Sequence, residues 1–351
     1  MFYTDTTMNK KIKIAINGFG RIGRLFFRQA HEKFDIVAIN DLSDVDNLAY
    51  LLKYDTVYRT YNKNIQTTTE GGKNYLVVDG KRILVLQEKD PSLLPWKDLD
   101  VDVALEATGI FESFEKSSAH LKAGAKRVVI SSPAKDAEQE KAKTVLLGLN
   151  EEQFKTCLIT SNGSCTTNAT HPVAAIMSET VGVKKAFLSS VHAYTATQSL
   201  VDGLAGKSKD FRRGRAAAVN IIPAASGVTV SVTRVLKNLE GKFDGMAIRV
   251  PSITVSLGDF TFVSARPTSV EEINNIFRKA AGEQRWKDIL TVVEDPIVSS
   301  DVIGMPYGAI IDLSFTKVVD GDLVKVFSWY DNEWGYATTL VKHIERVGEV
   351  L

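Results

Sequence analysis

The first 40 residues alternate short apolar runs with one helical pattern. Residues 11–17 (KIKIAIN) read as a strand, residues 21–33 carry apolar side chains at helical spacing, and residues 34–40 read as a second strand. A strand, a helix and a strand within about 30 residues predict a βαβ unit.

The following residues continue the same pattern. Strand-like runs at 75–78 and 83–86 are separated by Asp79-Gly80 and read as a hairpin. Short apolar runs at 101–105 and 127–130 flank a helical pattern at 111–123, which is typical of buried parallel strands. The first half of the chain is therefore predicted to be a Rossmann-type, doubly wound α/β domain with a parallel sheet.

The pattern changes after about Ser161, where strands become longer and more strictly alternating. They are predicted at 184–191, 246–255, 260–265, 310–316 and 323–330, with helical patterns at 166–180, 225–239 and 270–281. This mixture predicts an α+β domain with a mostly antiparallel sheet. Residues 203–215 are glycine-rich, basic and poorly patterned, and loops of that length are usually functional or disordered.

Composition narrows the classes of protein that remain. The chain has 351 residues, of which 44% are hydrophobic and 24% charged, and this length suggests about two domains. A formal net charge of +1 gives no overall attraction to nucleic acid or an anionic membrane, and no apolar run approaches the roughly 18 residues of a membrane span. Residues 1–13 lack a secretory apolar segment, and Met8 is an equally good start.

Cysteine usage points to a reducing compartment. The only two cysteines, Cys157 and Cys165, cannot form a disulfide framework in a chain of this length. We therefore expect a cytoplasmic protein.

A glycine motif follows the first strand and opens the first helix. Gly18, Gly20 and Gly23 match G-x-G-x-x-G, in which the glycines allow a tight turn, close approach of a pyrophosphate and close helix–strand packing. Asp41 lies about 20 residues later, where a carboxylate can bind a ribose hydroxyl and repel a 2′-phosphate. The motif predicts a dinucleotide site that favours NAD over NADP; the alternative for Asp41 is a solvated turn residue.

One of the two cysteines has the setting of a nucleophile. Cys165 lies in the polar segment 161–168 (SNGSCTTN) at the predicted start of a helix, where the helix dipole favours a thiolate. The alternative is a small buried cysteine. Cys157, which is followed by Leu158 and Ile159 in a predicted strand, fits that alternative better.

A catalytic cysteine needs a base, and the chain has five histidines. His192 lies near the end of an alternating strand and before the long loop, where catalytic groups are often presented. His171 is about two turns into the helix of Cys165 and is expected to point elsewhere. His192 is the best candidate of the five, although strand-end histidines are more often structural.

Six segments together resemble a known family. They are NGFGRIGR (17–24), SNGSCTTN (161–168), HAYTATQ (192–198), RRGRAAAVNIIP (212–223), MAIRVP (246–251) and WYDNEWGY (329–336). In this order they resemble the phosphorylating glyceraldehyde-3-phosphate dehydrogenases. The resemblance implies an NAD-binding domain at 1–163 completed by a C-terminal helix at 332–351, and a catalytic domain at 164–331. It also implies a homotetramer in which the loop around 195–215 lies against a neighbour's cofactor site.

The resemblance also implies roles for individual residues. Cys165 would be the nucleophile and His192 its base. Residues for the cofactor NAD would be Gly18, Gly20, Arg21, Ile22, Gly23, Asp41, Thr108, Gly109, Asn332 and Tyr336. Arg249, Thr195 and Thr197 would hold the phosphate of glyceraldehyde 3-phosphate, and Ser164, Thr166, Ser226 and Gly227 would hold inorganic phosphate. Neither a metal nor a nucleic acid or membrane partner is implied.

The sequence departs from the family pattern at three places. Ala169 replaces a frequent second cysteine, Ser226 replaces threonine, and residues 228–232 (VTVSV) lack an expected lysine. Two alternative functions remain: a dehydrogenase of another sugar phosphate aldehyde such as erythrose 4-phosphate, and a non-catalytic nucleotide- or RNA-binding protein. Near-neutral charge and the complete set of catalytic residues argue against the second.

Overall fold

Two β-sheets with helices packed on them make up the structure, a computed structural model that describes residues 11–206 and 209–351. The predictions for the first ten residues, and the part of the long loop at 207–208, lie outside the described residues.

The first sheet contains nine of the described strands in the order β3-β4-β5-β2-β1-β6-β7-β9-β8. Its strands are β1 Lys13–Asn17, β2 Asp35–Asn40, β3 Ile65–Glu70, β4 Lys73–Val78, β5 Lys81–Leu86, β6 Val103–Glu106, β7 Arg127–Ile130, β8 Ala142–Thr144 and β9 Ile159–Ser161. The helices in this part are α1 Arg21–Ala30, α2 Val45–Lys53, α3 Phe114–Ser117 and α4 Ala119–Lys122. The neighbouring strands β5-β2-β1-β6-β7-β9-β8 all pair in parallel. The remaining strands, β3 and β4, pair antiparallel with each other and with β5 at one edge. The predicted doubly wound domain is confirmed.

The second sheet contains seven of the described strands in the order β11-β12-β10-β13-β16-β15-β14. They are β10 Val183–Ala193, β11 Ile222–Ala225, β12 Phe243–Val250, β13 Ser256–Ser264, β14 Leu290–Val293, β15 Ala309–Val319 and β16 Leu323–Tyr330. The helices are α5 Cys165–Thr180, α6 Val228–Val235, α7 Val270–Gly282 and α8 Trp334–Gly348. Only the β10–β12 and β14–β15 pairs are parallel among these strands, so the prediction of a mostly antiparallel sheet is confirmed.

Several predicted elements differ from the structure, and β13, for example, begins four residues before the strand expected at 260–265. The helix expected at 111–123 is two four-residue helices that meet at Ser118. The strand expected at 246–255 ends at Val250, before Pro251, which cannot donate to a sheet ladder. The helix expected from Ala225 begins only at Val228, because Ile222–Ala225 pairs with β12 as a strand.

The C-terminal helix connects the two sheets. α8 packs against α1, where Thr338 Oγ1 donates to Gln29 Oε1 (2.7 Å) and Gln29 Nε2 donates to the Trp334 carbonyl (3.1 Å). One continuous hydrophobic core contains residues of both sheets and of α8, among them Ile14, Phe260 and Ile344. The division into domains at residue 163 stays a prediction.

Among residues 11–206 and 209–351, no helix is both long enough and apolar enough to cross a bilayer.

Two glycines of α1 and its preceding turn allow a matched test of packing. A Cβ at Gly23 would overlap the Gly18 carbonyl oxygen, whereas a Cβ at Gly20 would meet nothing within 4 Å. We expect Gly23→Ala to lower the free energy of unfolding by about 1–3 kcal/mol, as overpacking does. Gly20→Ala should change it by less than about 0.5 kcal/mol.

Urea denaturation of both variants at one protein concentration measures the difference. Equal stability of the two variants would show that the helix and strand do not approach as closely as described.

Candidate active site

The first candidate site is a groove at the carboxyl ends of parallel strands. β1 lies between β2 and β6, so the chain leaves β1 to one side and returns on the other. Asn17 ends β1 and Asn40 ends β2, and both line a cavity of about 460 Å³. Such a reversal point is where doubly wound sheets bind nucleotides.

The glycine motif shapes the floor of this groove. A Cβ at Gly18 would lie 2.6 Å from the Thr108 backbone nitrogen, so only glycine lets the two turns approach. Gly20 precedes α1 and leaves open space on its groove side. The residues present therefore fit a dinucleotide, and the open backbone at Gly20 and the start of α1 would hold its pyrophosphate.

Asp41 lies beside this turn at the end of β2. Its Oδ2 accepts from the Phe19 backbone N–H (2.8 Å) and its Oδ1 accepts from the Ser43 N–H (2.9 Å). An ionised carboxylate has about four acceptor sites, so two remain for the hydroxyls of a ribose. Asp41 also lines the groove, which supports the ribose interpretation over that of a solvated turn residue.

A buried polar network that the sequence did not reveal supports the groove from below. The Trp96 indole donates to His120 Nδ1 (3.0 Å), so Nε2 carries the proton and donates to Glu106 Oε2 (3.0 Å). Asn17 also donates to Oε2 (2.6 Å), and the backbone and hydroxyl of Thr108 donate to Oε1. The network fixes Thr108, which precedes Gly109 at the groove.

The second candidate site lies at the start of α5. Ser164 caps this helix by accepting from the Thr167 N–H (3.1 Å), and Cys165 is its first residue. Cys165 is partly exposed to a cavity of about 520 Å³, whereas Cys157 is 1% exposed. The structure thus separates the two thiols as the sequence predicted.

The structure brings Cys165 and His192 together. Cys165 Sγ lies 3.5 Å from His192 Nε2, and His192 Nδ1 lies 2.7 Å from the Ala193 carbonyl. Arg249 Nη1 lies 2.9 Å from Nδ1 but also donates to the same carbonyl (3.0 Å). Because the carbonyl can only accept, the shorter contact places the proton on Nδ1 and leaves Nε2 to accept from the thiol.

Burial sets the resting charges of this pair. Burial raises the pKa of the Cys165 thiol, against the opposing effect of the nearby Arg249 charge. Burial, with a smaller contribution from Arg249, lowers the pKa of His192 to about 3. The pair is therefore a neutral thiol and a neutral imidazole at rest, rather than the thiolate that the helix terminus alone would favour.

The other four histidines have partners elsewhere. His171 faces the carbonyls of Thr167 (3.1 Å) and Leu147 (3.0 Å), as its position on α5 predicted. His31, His120 and His343 contact Tyr61, Glu106 and Thr160, respectively. Of the five histidines, His192 is the one beside the thiol.

The cavity around Cys165 has the groups that an anion requires. Ser164, Thr166, Ser226, Gly227 and Arg249 all line it. The Nε of Arg249 is buried and has no hydrogen-bond partner among residues 11–206 and 209–351. A buried, unpaired guanidinium N–H is suited to an incoming phosphate oxygen.

The two threonines predicted for the substrate phosphate lie at the edge of this region. Thr195 Oγ1 and Thr197 Oγ1 are 3.0 Å apart, and Arg213 Nη1 donates to Thr197 (3.0 Å). Arg213 lines the catalytic cavity and was not among the predicted site residues, although the basic loop that contains it was expected to be either functional or disordered.

Arg21 and Ile22 are placed differently from the remaining cofactor candidates. The guanidinium of Arg21 pairs with Asp55 and Glu333 and lines a separate cavity together with Thr195. Ile22 packs against the hydrophobic core. Neither residue lines the nucleotide groove, although both begin the helix that faces it.

Asn332 and Tyr336 line neither the nucleotide groove nor the cavity at Cys165. Asn332 Oδ1 accepts from Ser256 (3.0 Å), and the Tyr336 hydroxyl donates to the Gly163 carbonyl (2.8 Å). Both side chains are buried. Tyr336 thus holds the turn that precedes Cys165.

A dinucleotide groove and a cavity with a thiol–imidazole pair in one chain define a class of protein, the dehydrogenases that work through a thiol. Two family models match the chain. Residues 12–114 match the glyceraldehyde 3-phosphate dehydrogenase NAD binding domain, and residues 164–332 match the C-terminal domain of the same enzyme.

Named relatives agree with these matches along almost the whole chain. A glyceraldehyde-3-phosphate dehydrogenase of Mycobacterium avium is 42% identical over 97% of this chain and 99% of its own length. That of Clostridium pasteurianum is 44% identical over 96% of this chain and 99% of its own, and enzyme 1 of Kluyveromyces lactis is 42% identical over 96% and 99%. The chain belongs to the glyceraldehyde-3-phosphate dehydrogenase family, and its cofactor is NAD.

The different burial of the two thiols predicts selective alkylation. Iodoacetamide should modify Cys165 and leave Cys157 unmodified, because only Cys165 opens to a cavity. Since burial raises the pKa of Cys165, the rate should rise as the pH increases from 7 to 9. Peptide mapping over time measures both effects, with Cys157→Ala as the control that alkylates at the unchanged rate. Modification of Cys157 first would contradict the assignment.

The position of Asp41 predicts how the two cofactors are distinguished. NAD should be preferred to NADP, because the carboxylate repels a 2′-phosphate, and Asp41→Ala should narrow the ratio of kcat/KM values by at least about 10-fold. Asp44→Ala is the matched control, since Asp44 only caps α2. Equal kcat/KM for both cofactors in the unmodified enzyme would contradict this prediction.

Proposed function

We propose that this enzyme oxidises glyceraldehyde 3-phosphate with NAD and inorganic phosphate to 1,3-bisphosphoglycerate, through a thioester on Cys165. The observation that carries the proposal is the 3.5 Å contact between Cys165 Sγ and His192 Nε2 in a cavity that also contains Arg249 and several hydroxyls. The names of the full-length relatives support the same substrate.

The first step is addition of the thiol to the aldehyde. His192 Nε2 accepts the thiol proton as Sγ bonds to the carbonyl carbon, and then returns that proton to the oxygen to give a hemithioacetal. The Nδ1–H contact to the Ala193 carbonyl (2.7 Å) holds the ring in the tautomer that this step requires.

The second step is oxidation. NAD, when bound, supplies the hydride acceptor that converts the hemithioacetal into a thioester. His192 Nε2 removes the hydroxyl proton, so the same nitrogen acts first as a base for sulfur and then as a base for oxygen. Its neutral resting form, a consequence of burial, keeps the lone pair available.

The third step transfers the acyl group to phosphate. An oxygen of inorganic phosphate bonds to the thioester carbon, the carbon–sulfur bond breaks, and the leaving thiolate recovers the proton from His192. Ser164, Thr166, Ser226 and the backbone at Gly227 would hold this phosphate; their common cavity supports that role. Arg249, with Thr195 and Thr197, would hold the phosphate of the aldehyde.

Assembly into a homotetramer is a further part of the proposal. Large apolar side chains of the loop and its continuation are strongly exposed in a single chain, including Leu200 (82%), Leu204 (95%) and Phe211 (83%). Contiguous exposed apolar side chains usually mark an interface.

The proposed location is the cytoplasm, in line with two free cysteines.

A test of the thioester separates a phosphorylating enzyme from a hydrolytic one. In phosphate-free buffer with glyceraldehyde 3-phosphate and NAD, at most one NADH per active site should form in a burst, after which turnover nearly stops. Adding phosphate should restore steady turnover, as followed by NADH absorbance in a stopped-flow experiment. Sustained turnover without phosphate would mean that water is the acceptor and that the proposed product is wrong.

A further inference from the structure

A loop of the first sheet closes one side of the catalytic cavity. Pro133 and Lys135 line the same cavity as Ser164, Ser226 and Gly227. Pro133 Cγ lies 4.0 Å from the position of a Cβ at Gly227, the residue that caps α6. The loop at 133–135 is therefore beside the hydroxyls to which the inorganic phosphate is assigned.

The backbone on either side of Lys135 is held firmly. Arg234 on α6 donates to the carbonyls of Ala134 (3.0 Å) and Asp136 (2.6 Å). The Lys135 N–H donates to the Glu112 carbonyl (2.8 Å). The base of the lysine side chain is thus fixed relative to the second sheet, although the residue belongs to the first.

The ammonium group of Lys135, by contrast, is held only loosely. It pairs with the carboxylate of Glu112, which also lines the cavity, and the side chain of Lys135 is 73% exposed. Exposed ion pairs contribute little to stability, because water screens the charges and two long side chains lose freedom. An anion of higher charge in the cavity can therefore compete with Glu112 for this ammonium group.

We propose that Lys135 is an additional ligand of the inorganic phosphate, and that Glu112 binds the lysine when the phosphate is absent. Phosphate entering beside Ser226 takes the ammonium group from Glu112, and departure of the acyl phosphate returns it. This inference rests on the proposed function and adds a phosphate ligand from the first sheet to those of the second.

Single and double variants test the roles of Lys135 and Glu112 separately, because the two single variants should change the KM for phosphate in opposite directions. Lys135→Met should raise the KM for phosphate by at least about 3-fold, because one charge-assisted contact is lost, with a smaller change in the KM for the aldehyde. Glu112→Gln should lower the KM for phosphate by about 2-fold, because it releases the lysine. In the double variant the benefit of Glu112→Gln should disappear, since there is no lysine to release.

A matched ion pair elsewhere is the control. Lys33 pairs with Glu345 at 2.8 Å, with side chains that are 52% and 38% exposed, and lines neither the groove nor the catalytic cavity. Lys33→Met should leave both KM values unchanged. If Lys135→Met leaves the KM for phosphate unchanged, or raises that for the aldehyde by the same factor, Lys135 is not a phosphate ligand. If Glu112→Gln still lowers the KM in the double variant, Glu112 acts by direct repulsion and its proposed role is wrong.

A second measurement does not depend on turnover. Inorganic phosphate should protect Cys165 from iodoacetamide in the absence of aldehyde, and Lys135→Met should raise the protecting concentration by at least about 3-fold. If phosphate protects both proteins equally, the inference about Lys135 fails while the proposed function stands. If turnover needs no phosphate but Lys135→Met still weakens protection, the proposed function fails and the lysine remains an anion ligand.

Discussion

The turn from β9 into α5 is the constraint on which the catalytic site depends. Gly163 in this turn has φ +66°, and a Cβ there would lie 2.8 Å from the Thr167 side chain, so glycine alone fits. Asn168 Nδ2 donates back to the carbonyls of Asn162 (2.8 Å) and Ser164 (3.0 Å). These contacts fix the first residue of α5, and Cys165 can lie 3.5 Å from His192 only because that residue is fixed.

The C-terminal helix completes this support from the opposite side. Asn162 Nδ2 donates to Thr339 Oγ1 (2.9 Å) and its Oδ1 faces His343 Nδ1 (3.2 Å), so His343 donates there and accepts from Thr160 through Nε2 (2.7 Å). Burial lowers the pKa of His343 to about 3, which keeps it neutral in this arrangement. Because α8 also packs on α1, one helix supports both the nucleotide groove and the turn that precedes Cys165.

Much of this arrangement could be predicted from periodicity and local chemistry, and the rest depends on contacts between distant segments. The predicted bounds of β16 agree with the structure because apolar and polar residues alternate strictly along it. Cys165 was chosen over Cys157 because its neighbours in the sequence are polar. Arg213 lies in the short 3-10 turn Phe211–Gly214 of the long loop and Lys135 lies in a loop, and neither segment is long enough for a period to determine which way a side chain points. The ion pairs of Arg21 likewise join residues that are far apart in the sequence. The glycine motif that contains Arg21 therefore could not reveal that the arginine side chain points away from the groove.

Charge in the catalytic cavity is concentrated although the chain is nearly neutral. Four basic residues and a single acidic residue are among those that line the cavity: Lys135, Arg213, Arg234 and Arg249, and Glu112. The whole chain, by contrast, carries a formal net charge of only +1. These cations do not all serve one purpose, since Arg234 is engaged by two carbonyls and Arg249 also contacts the Ala193 carbonyl. The positive field of these side chains favours the binding of two phosphates in one cavity. It also disfavours the protonated form of His192, whose pKa is lowered by burial and further by Arg249 and Arg213. The same cations that would bind the substrates therefore help to keep the imidazole neutral, which is the state in which it can accept a proton from the thiol.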